Sequence, residues 1–308
     1  METKTFKEVS EIWKRDKRQY VKPSSYSTYV LLLNKHILPV FGEFTLVTES
    51  DVQSFVLKKL DEGLSTKSVK VLVLVLKMIT RFGAKAGFWP VPDWSIHYPT
   101  DQVATNLDVL NRQDQKRILT HIKDHFTCRN LGIYICLSAG LRIGEVCALQ
   151  WQDLDMEDEV IRIRKTLGRV YHPDDGASQR SRLVLGKPKT VNAIREVPMS
   201  REMIRLVRPL TRVANPEYFL LSNDEKPLEP KTYRNYYKRF MTELGVSDLK
   251  FHGLRHSFAT RCIESGCDYK TVSVLLGHAN IGTTLNLYVH PTLDQKKKCI
   301  EKVFRHLG

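Results

Sequence analysis

The sequence predicts a mainly α protein with a small antiparallel β-sheet, an α+β fold laid out in two domains. Three observations predict it. Apolar residues recur at three- and four-residue spacing through both ends of the chain, as buried helix faces require. Short segments between residues 160 and 198, Val160–Arg164 first among them, instead alternate apolar with charged residues, as half-exposed strands do. Pro90, Pro92 and Pro99 break all periodicity about a third of the way along the 308 residues. The division that follows is a helical domain at 1–88, a connector at 89–106 and a second domain at 107–308.

The elements follow in order. Thr5 to Arg18 is amphipathic, with Phe6, Val9 and Trp13 on one side. Ser24 or Ser25 caps a second helix carrying Tyr26, Tyr29, Val30 and Leu33, which Pro39 and Gly42 end. Thr48 or Ser50 caps a third, from Asp51 to Leu60, and Ser65 or Thr66 a fourth, through Val71–Ile79 to Phe82. Four such helices make a small bundle. Beyond the connector, Asp108 or Asn111 opens the second domain, with helices at Arg112–Asp124 and Asn130–Ser138. Strands are expected at Val160–Arg164, Leu183–Leu185 and Arg195–Pro198, the last two joined around Lys187–Asn192. A polar loop fills 170–180. After Pro198 the pattern is helical again, ending in a tail, Leu293–Leu307, whose Cys299, Ile300, Val303 and Phe304 form one apolar stripe.

Composition narrows the function. With 42% hydrophobic and 27% charged residues the chain can bury an ordinary core and needs no metal or disulfide staple. None of the six cysteines forms a C-x-x-C pair, so reduced structural thiols are expected. Lys and Arg total 48 against 34 for Asp and Glu, a formal +14. Residues 1–99 hold 15 basic and 10 acidic groups and the remainder 33 and 24, so both domains are basic. A polyanion contacted along the whole protein accounts for this, although charge does not choose DNA over RNA. The longest apolar run, Val71–Leu76, is far short of the ~20 residues of a membrane helix. The N-terminus is charged and unlike a signal peptide, so a soluble, cytoplasmic protein is expected.

Chemistry gathers in three segments. In Ser138-Ala139-Gly140-Leu141-Arg142-Ile143-Gly144-Glu145, Gly140 can end one helix and Arg142 start the next, where backbone N–H groups also favour anions. Glu145, three residues on, can orient that guanidinium or cap the helix. Read alone, the segment fits a helix-turn-helix corner with a surface ion pair equally well. His252 and Arg255, three apart, share one side of a helix and suit a phosphate: the Arg forks onto two oxygens and the His moves a proton. Metal ligation is disfavoured, since His252 and His256 have no carboxylate at ligand spacing. Gly277 ends a helix and leaves His278 at its corner, with Tyr288 ten residues on. A lone helical Tyr reads first as a packed core residue. A phenol of pKa ~10 attacks phosphorus only with a base or cations beside it.

In this order and at these separations, Arg142, His252-x-x-Arg255, Leu-Gly-His278 and Tyr288 resemble the tyrosine recombinase (phage integrase) family over about residues 108–295. The helical first domain resembles that family's core-binding domain. The resemblance implies a C-shaped clamp on double-stranded DNA and a site-specific recombinase. Such an enzyme cleaves and rejoins DNA through a 3′-phosphotyrosyl intermediate, here for integration or excision of a mobile element. It implies no metal and no cofactor. It also implies a catalytic Lys between two strands: Lys189, in Lys187-Pro188-Lys189-Thr190 ahead of Arg195-Glu196-Val197-Pro198, with Lys187 as the competitor. Tyr288 is then the nucleophile, His252 the base and Lys189 the acid, while Arg142, Arg255 and His278 hold the phosphate oxygens. The partners implied are a homotetramer on two DNA sites, formed from free monomers, and an accessory directionality factor; the location is the nucleoid. Competing readings are a type IB topoisomerase that only relaxes DNA and a non-catalytic DNA-binding regulator. RNA binding lacks an aromatic RNP-like strand.

Overall fold

A computed structural model describes residues 4–99, 108–171, 181–188, 190–246 and 248–288, with 297, 300 and 301 besides; of 286–288 it describes the backbone. The chain divides into two compact units, residues 1–105 with 169–182, and residues 106–168 with 183–308.

The first unit is a helical bundle: α1 (Phe6–Tyr20), α2 (Pro23–Leu32), α3 (Leu38–Phe41), α4 (Glu49–Asp61) and α5 (Thr66–Lys85). Thr5 and Glu8 close a reciprocal capping box at the start of α1, and Thr48 and Asp51 do so for α4. Phe6, Val9 and Trp13 are buried against Leu72, Val75, Leu76 and Ile79 of α5 in one apolar cluster. α2 departs from expectation. It begins at Pro23 behind Lys22 with no side-chain cap, because proline's fixed φ already suits the first helical turn. Nor does Pro39 end the helical path. A π-helical turn at Leu33–Ile37, in which the Leu38 N–H donates to the Leu33 carbonyl, leads into α3 with Pro39 in its first turn.

Part of the predicted connector is bundle. Trp89 stacks on Phe6 with ring centroids 6.0 Å apart and donates its indole N–H to the Lys4 carbonyl. Ser95 N–H donates to Glu49, and the His97 backbone exchanges two hydrogen bonds with Gln53. Residues 88–98 thus lie along the bundle because their aromatic side chains have apolar area to bury there. Residues 100–106 of the connector lie outside the described residues.

The second unit is built on α7 (Cys128–Ala139), every residue of which from Asn130 to Leu137 is buried. Around it are α6 (Arg112–Asp124) before it and α8 (Ile143–Val146) after it. Strands β1 (Leu154–Asp155), β2 (Val160–Ile163), β3 (Thr166–Tyr171), β4 (Ser181–Gly186) and β5 (Arg195–Pro198) come next, although residues 169–171 of β3 and 181–182 of β4 count with the first unit. Helices α9 (Arg201–Thr211), α10 (Pro230–Glu243), α11 (Phe251–Glu264), α12 (Tyr269–Leu276) and α13 (Ile281–Tyr288) complete it. One antiparallel sheet has the order β1-β2-β5, with Ile161 opposite Val197 and Ile163 opposite Arg195. β4 does not join it as the expected hairpin with β5; it pairs with β3. The alternation in 195–198 places Arg195 and Val197 inward, and β2 offers a complementary buried face, Ile161 and Ile163. Cys128, Cys136, Cys147, Cys262 and Cys267 are free thiols; Cys299 is outside the described residues. No helix among the described residues is long and apolar enough to cross a membrane.

Candidate active site

Two helix ends make the site. α7 stops at Gly140, whose φ of +66° needs a residue without a Cβ; a Cβ there would also lie 2.5 Å from the Phe258 ring. The chain turns through Leu141 and restarts as α8 with Arg142 at its N-cap. α12 stops in the same way at Gly277, φ +65°, where a Cβ would meet the Asn192 carbonyl at 2.7 Å. The His278 N–H then donates back to Ser273 and the Gly277 N–H to Val274, closing the helix end in a Schellman turn.

The last carbonyls of a helix have no partners within it and carry its partial negative charge. Here the last two carbonyls of α12, and the two of the turn that follows it, each accept from a side chain. Arg195 Nε donates to Leu275 O at 2.6 Å, Arg255 Nη2 to Leu276 O at 2.6 Å, and Arg142 Nη2 to Gly277 O at 3.3 Å. Asn192 Nδ2 donates to His278 O at 3.3 Å. Arg255 also donates to Gly140 O at 2.8 Å, so one guanidinium ties the end of α7 to the end of α12. Three cations from β5, α11 and the start of α8 are therefore fixed on one helix terminus.

Glu145 offsets part of that charge. Only 2% exposed, it accepts from Arg195 at 3.0 and 3.2 Å and from Arg142 at 2.7 Å, and its second oxygen also takes the Arg142 backbone N–H. Burial alone pushes its carboxyl up, but Arg195 and then Arg142 outweigh that and hold it below the ordinary carboxylate range. Arg142 keeps 37% of its side chain exposed, whereas Arg255 is 1% exposed.

Two imidazoles border the cations. His252, in the first turn of α11, sits edge-on to His256 with centroids 4.6 Å apart. Its side chain still reaches solvent, yet partial desolvation, then His256, Arg255 and Arg142, bring its pKa down to about 4. His278 is also lowered to about 4, by desolvation first and then by Arg255, Arg142 and Arg195. Its Nδ1 is 2.8 Å from the hydroxyl of Thr284, a fully buried residue of α13. At neutral pH both rings are uncharged.

The structure thus brings Arg142, His252, Arg255 and His278 together. Tyr288 is the last residue of α13, one turn beyond Thr284, in a helix that packs on α11 and α12. Lys189 lies outside the described residues, and Lys187 is exposed at the end of β4. Among the described residues no group of His, Cys, Asp or Glu has the makings of a metal site. The phage integrase family model matches residues 108–295 of this chain, which hold all of these residues, and the model of the phage integrase N-terminal SAM-like domain matches residues 5–60.

The chain belongs to the phage integrase family, the tyrosine recombinases. Among its relatives, a tyrosine recombinase XerC-like protein of Caldanaerobacter subterraneus subsp. tengcongensis is 26% identical over 281 residues, 84% of this chain and 71% of that one. The ICEBs1 integrase of Bacillus subtilis is 24% identical over 308 residues, 92% of this chain and 78% of its own. The Tn1549 transposon integrase, solved with transposon right end DNA, has the same fold, with a TM-score of 0.77 at 22% identity over 97% of this chain and 99% of that one. A lambda integrase tetramer bound to a Holliday junction matches with a TM-score of 0.64 at 16% identity, covering 93% and 78%.

Two members of this integrase-family site escaped the sequence. Arg195 reads there only as the start of a strand, and the fold puts it on Leu275, 80 residues away. Thr284 reads as one of two adjacent helical threonines. Its signal is the six-residue step back to His278, which becomes meaningful once Gly277 is known to turn the chain.

Proposed function

We propose that this protein is a site-specific recombinase that cleaves and rejoins double-stranded DNA through a 3′-phosphotyrosyl bond on Tyr288. The observation that carries the reading is the fixing of Arg142, Arg195 and Arg255 on successive carbonyls at the end of α12 and its capping glycine, with two uncharged imidazoles beside them. Such a site meets the need of phosphoryl transfer, which is to stabilise extra negative charge on nonbridging oxygens with donors already in place. Arg142, the exposed guanidinium, takes a phosphate oxygen directly, and Arg255 adds its charge from beneath. With Thr284 donating to Nδ1, His278 keeps its proton on Nε2 and donates it to a second oxygen.

The phenolic oxygen of Tyr288 attacks phosphorus in line. Its proton passes to His252, which the low pKa keeps free to accept it at neutral pH. The bond from phosphorus to the 5′-oxygen breaks, and Lys189 protonates the departing oxygen. The phosphotyrosine conserves the bond energy, so the 5′-hydroxyl of another strand can reverse the step and exchange strands. No metal ion or nucleotide enters this scheme. Loss of one oxyanion donor costs about 3 kcal/mol, roughly a hundredfold in rate.

Strand exchange requires four copies on two duplexes, and the lambda integrase tetramer on a Holliday junction supports that arrangement. The relatives called ICEBs1 integrase and Tn1549 transposon integrase support a role in moving an integrated element. The test is a nicked suicide substrate carrying candidate sites, incubated with wild type and with Tyr288→Phe. A covalent protein–DNA adduct is expected with wild type alone; an adduct that survives the Phe substitution refutes the nucleophile. Relaxation of a two-site plasmid without exchange would replace the reading with a type IB topoisomerase activity.

A further inference from the structure

A basic groove of the second unit lies away from the site. It is formed along α9, encloses about 450 Å³, and is lined by Glu159, Arg201, Ile204, Arg205, Arg208 and Arg212. Strand β5 begins with Arg195, which belongs to the site, and runs away from it to Pro198, opposite Val160. The Met199 N–H then bonds to the Glu159 carbonyl, and α9 starts behind Ser200. The groove therefore opens at the end of the β1-β2-β5 sheet remote from Arg195, about 10 Å along the strand.

The arginines share one face. At about 100° per residue, positions 201, 205, 208 and 212 fall within an arc of about 60°, and they span about 16 Å of helix. All four are exposed, while Met203 and Val207 bury the opposite face in the core and Ile204 is buried at the groove's edge. Arg208 pairs with Glu159 at 3.4 Å. Arg201, Arg205 and Arg212 make no hydrogen bond or ion pair among the described residues. Glu159 lies beside Arg208 and Glu202 beside Arg205, yet four guanidiniums on one exposed face outnumber those two carboxylates, and an anion spanning the row would offset the excess. Arginine forks suit phosphate oxygens, and a row along a helix suits a row of phosphates.

We propose that the α9 stripe is a second nucleic-acid contact, holding the phosphate backbone of a duplex other than the one cleaved at the Arg142 site. It goes beyond the recombination reading and needs no cleavage chemistry. The geometry favours a duplex over an acidic protein as the occupant, since the guanidiniums lie in one row along one helix face, as the phosphates of a backbone do.

The experiment measures stoichiometry with a short duplex of unrelated sequence, by fluorescence anisotropy and mass photometry at low salt. Wild type is expected to take up two duplexes per chain, and Arg201→Gln/Arg205→Gln/Arg212→Gln only one, with an unchanged circular dichroism melt. With three phosphates neutralised, the second uptake should weaken about fortyfold between about 50 mM and about 200 mM salt. One duplex on wild type, or two on the triple variant, overturns the proposal while leaving the recombination reading intact; no duplex at all sinks both. Polyglutamate runs as a parallel ligand. If the triple substitution abolishes its binding but leaves duplex uptake unchanged, the stripe is an acidic-protein site and the assignment to DNA fails.

Discussion

Replacing Glu145 by Leu removes the carboxylate that two arginines share, and the cost can be worked from their surroundings. The Glu145 and Arg195 side chains are 3% and 4% exposed, so water cannot take the carboxylate's place beside Arg195. Breaking a buried pair from one side costs about 3–5 kcal/mol, because a charge is left without its counter-charge. The Arg142 share is small, since its guanidinium is 37% exposed and can be resolvated. At about 3 kcal/mol, local opening of the second unit becomes about 150-fold more frequent. Hydrogen exchange read by mass spectrometry on α7 peptides, Leu131–Leu137, measures that opening directly. Adding Arg195→Met should recover most of the loss, since an apolar pair of similar size replaces the ions. A single variant that exchanges less than about fivefold faster, or a double variant worse than the single, refutes the argument.

Thr284→Val should slow cleavage of a suicide substrate about tenfold with DNA affinity unchanged, because one hydrogen bond of about 1.4 kcal/mol ceases to fix the His278 tautomer; an unchanged rate contradicts that role. Gly277→Ala and Gly266→Ala both force a Cβ onto positive φ, at about 1–2 kcal/mol each. Only Gly277 also meets a carbonyl at 2.7 Å, so its variant should have the lower melting temperature, and equal melting would sink the steric account. His252 and His278 titrate near 4 in the folded protein against 6.5 when unperturbed, so the unfolded chain takes up those protons first. Stability of the second unit should be full above about pH 6.5 and decline as pH falls towards 4; a urea midpoint that is flat or rises over that interval is the contrary result.

Arg142, His252, Arg255 and His278 were legible because the cues are local. Gly140 and Gly277 mark helix ends within two residues of a cation or imidazole, and His252 and Arg255 share a helical face by spacing alone. Arg195 was not legible as a site residue, since its partners, Glu145 and Leu275, lie 50 and 80 residues away and nothing in an alternating strand reveals what it faces. The same limit misassigned β4. Leu183-Val184-Leu185 has strand character, but pairing is decided by the neighbouring face, and Thr166–Tyr171 supplied one that the sequence pattern did not reveal. The three prolines of 90–99 indicated a break in helix and an interdomain connector, but not that its first part, with Trp89 and His97, packs along the bundle. Proline forbids regular structure without forbidding packing.

The arginine contacts at the end of α12 have a mechanical consequence. Guanidiniums from three distant parts of the sequence hang on adjacent peptide groups, so they cannot be lost singly by any motion of that helix. A slide or rotation of α12 large enough to release one carbonyl strains all three bonds together and carries His278 along. Glu145 would still hold Arg142 and Arg195, and the Gly140 carbonyl Arg255, so such a motion would part the imidazole from the cations as a group rather than scatter them.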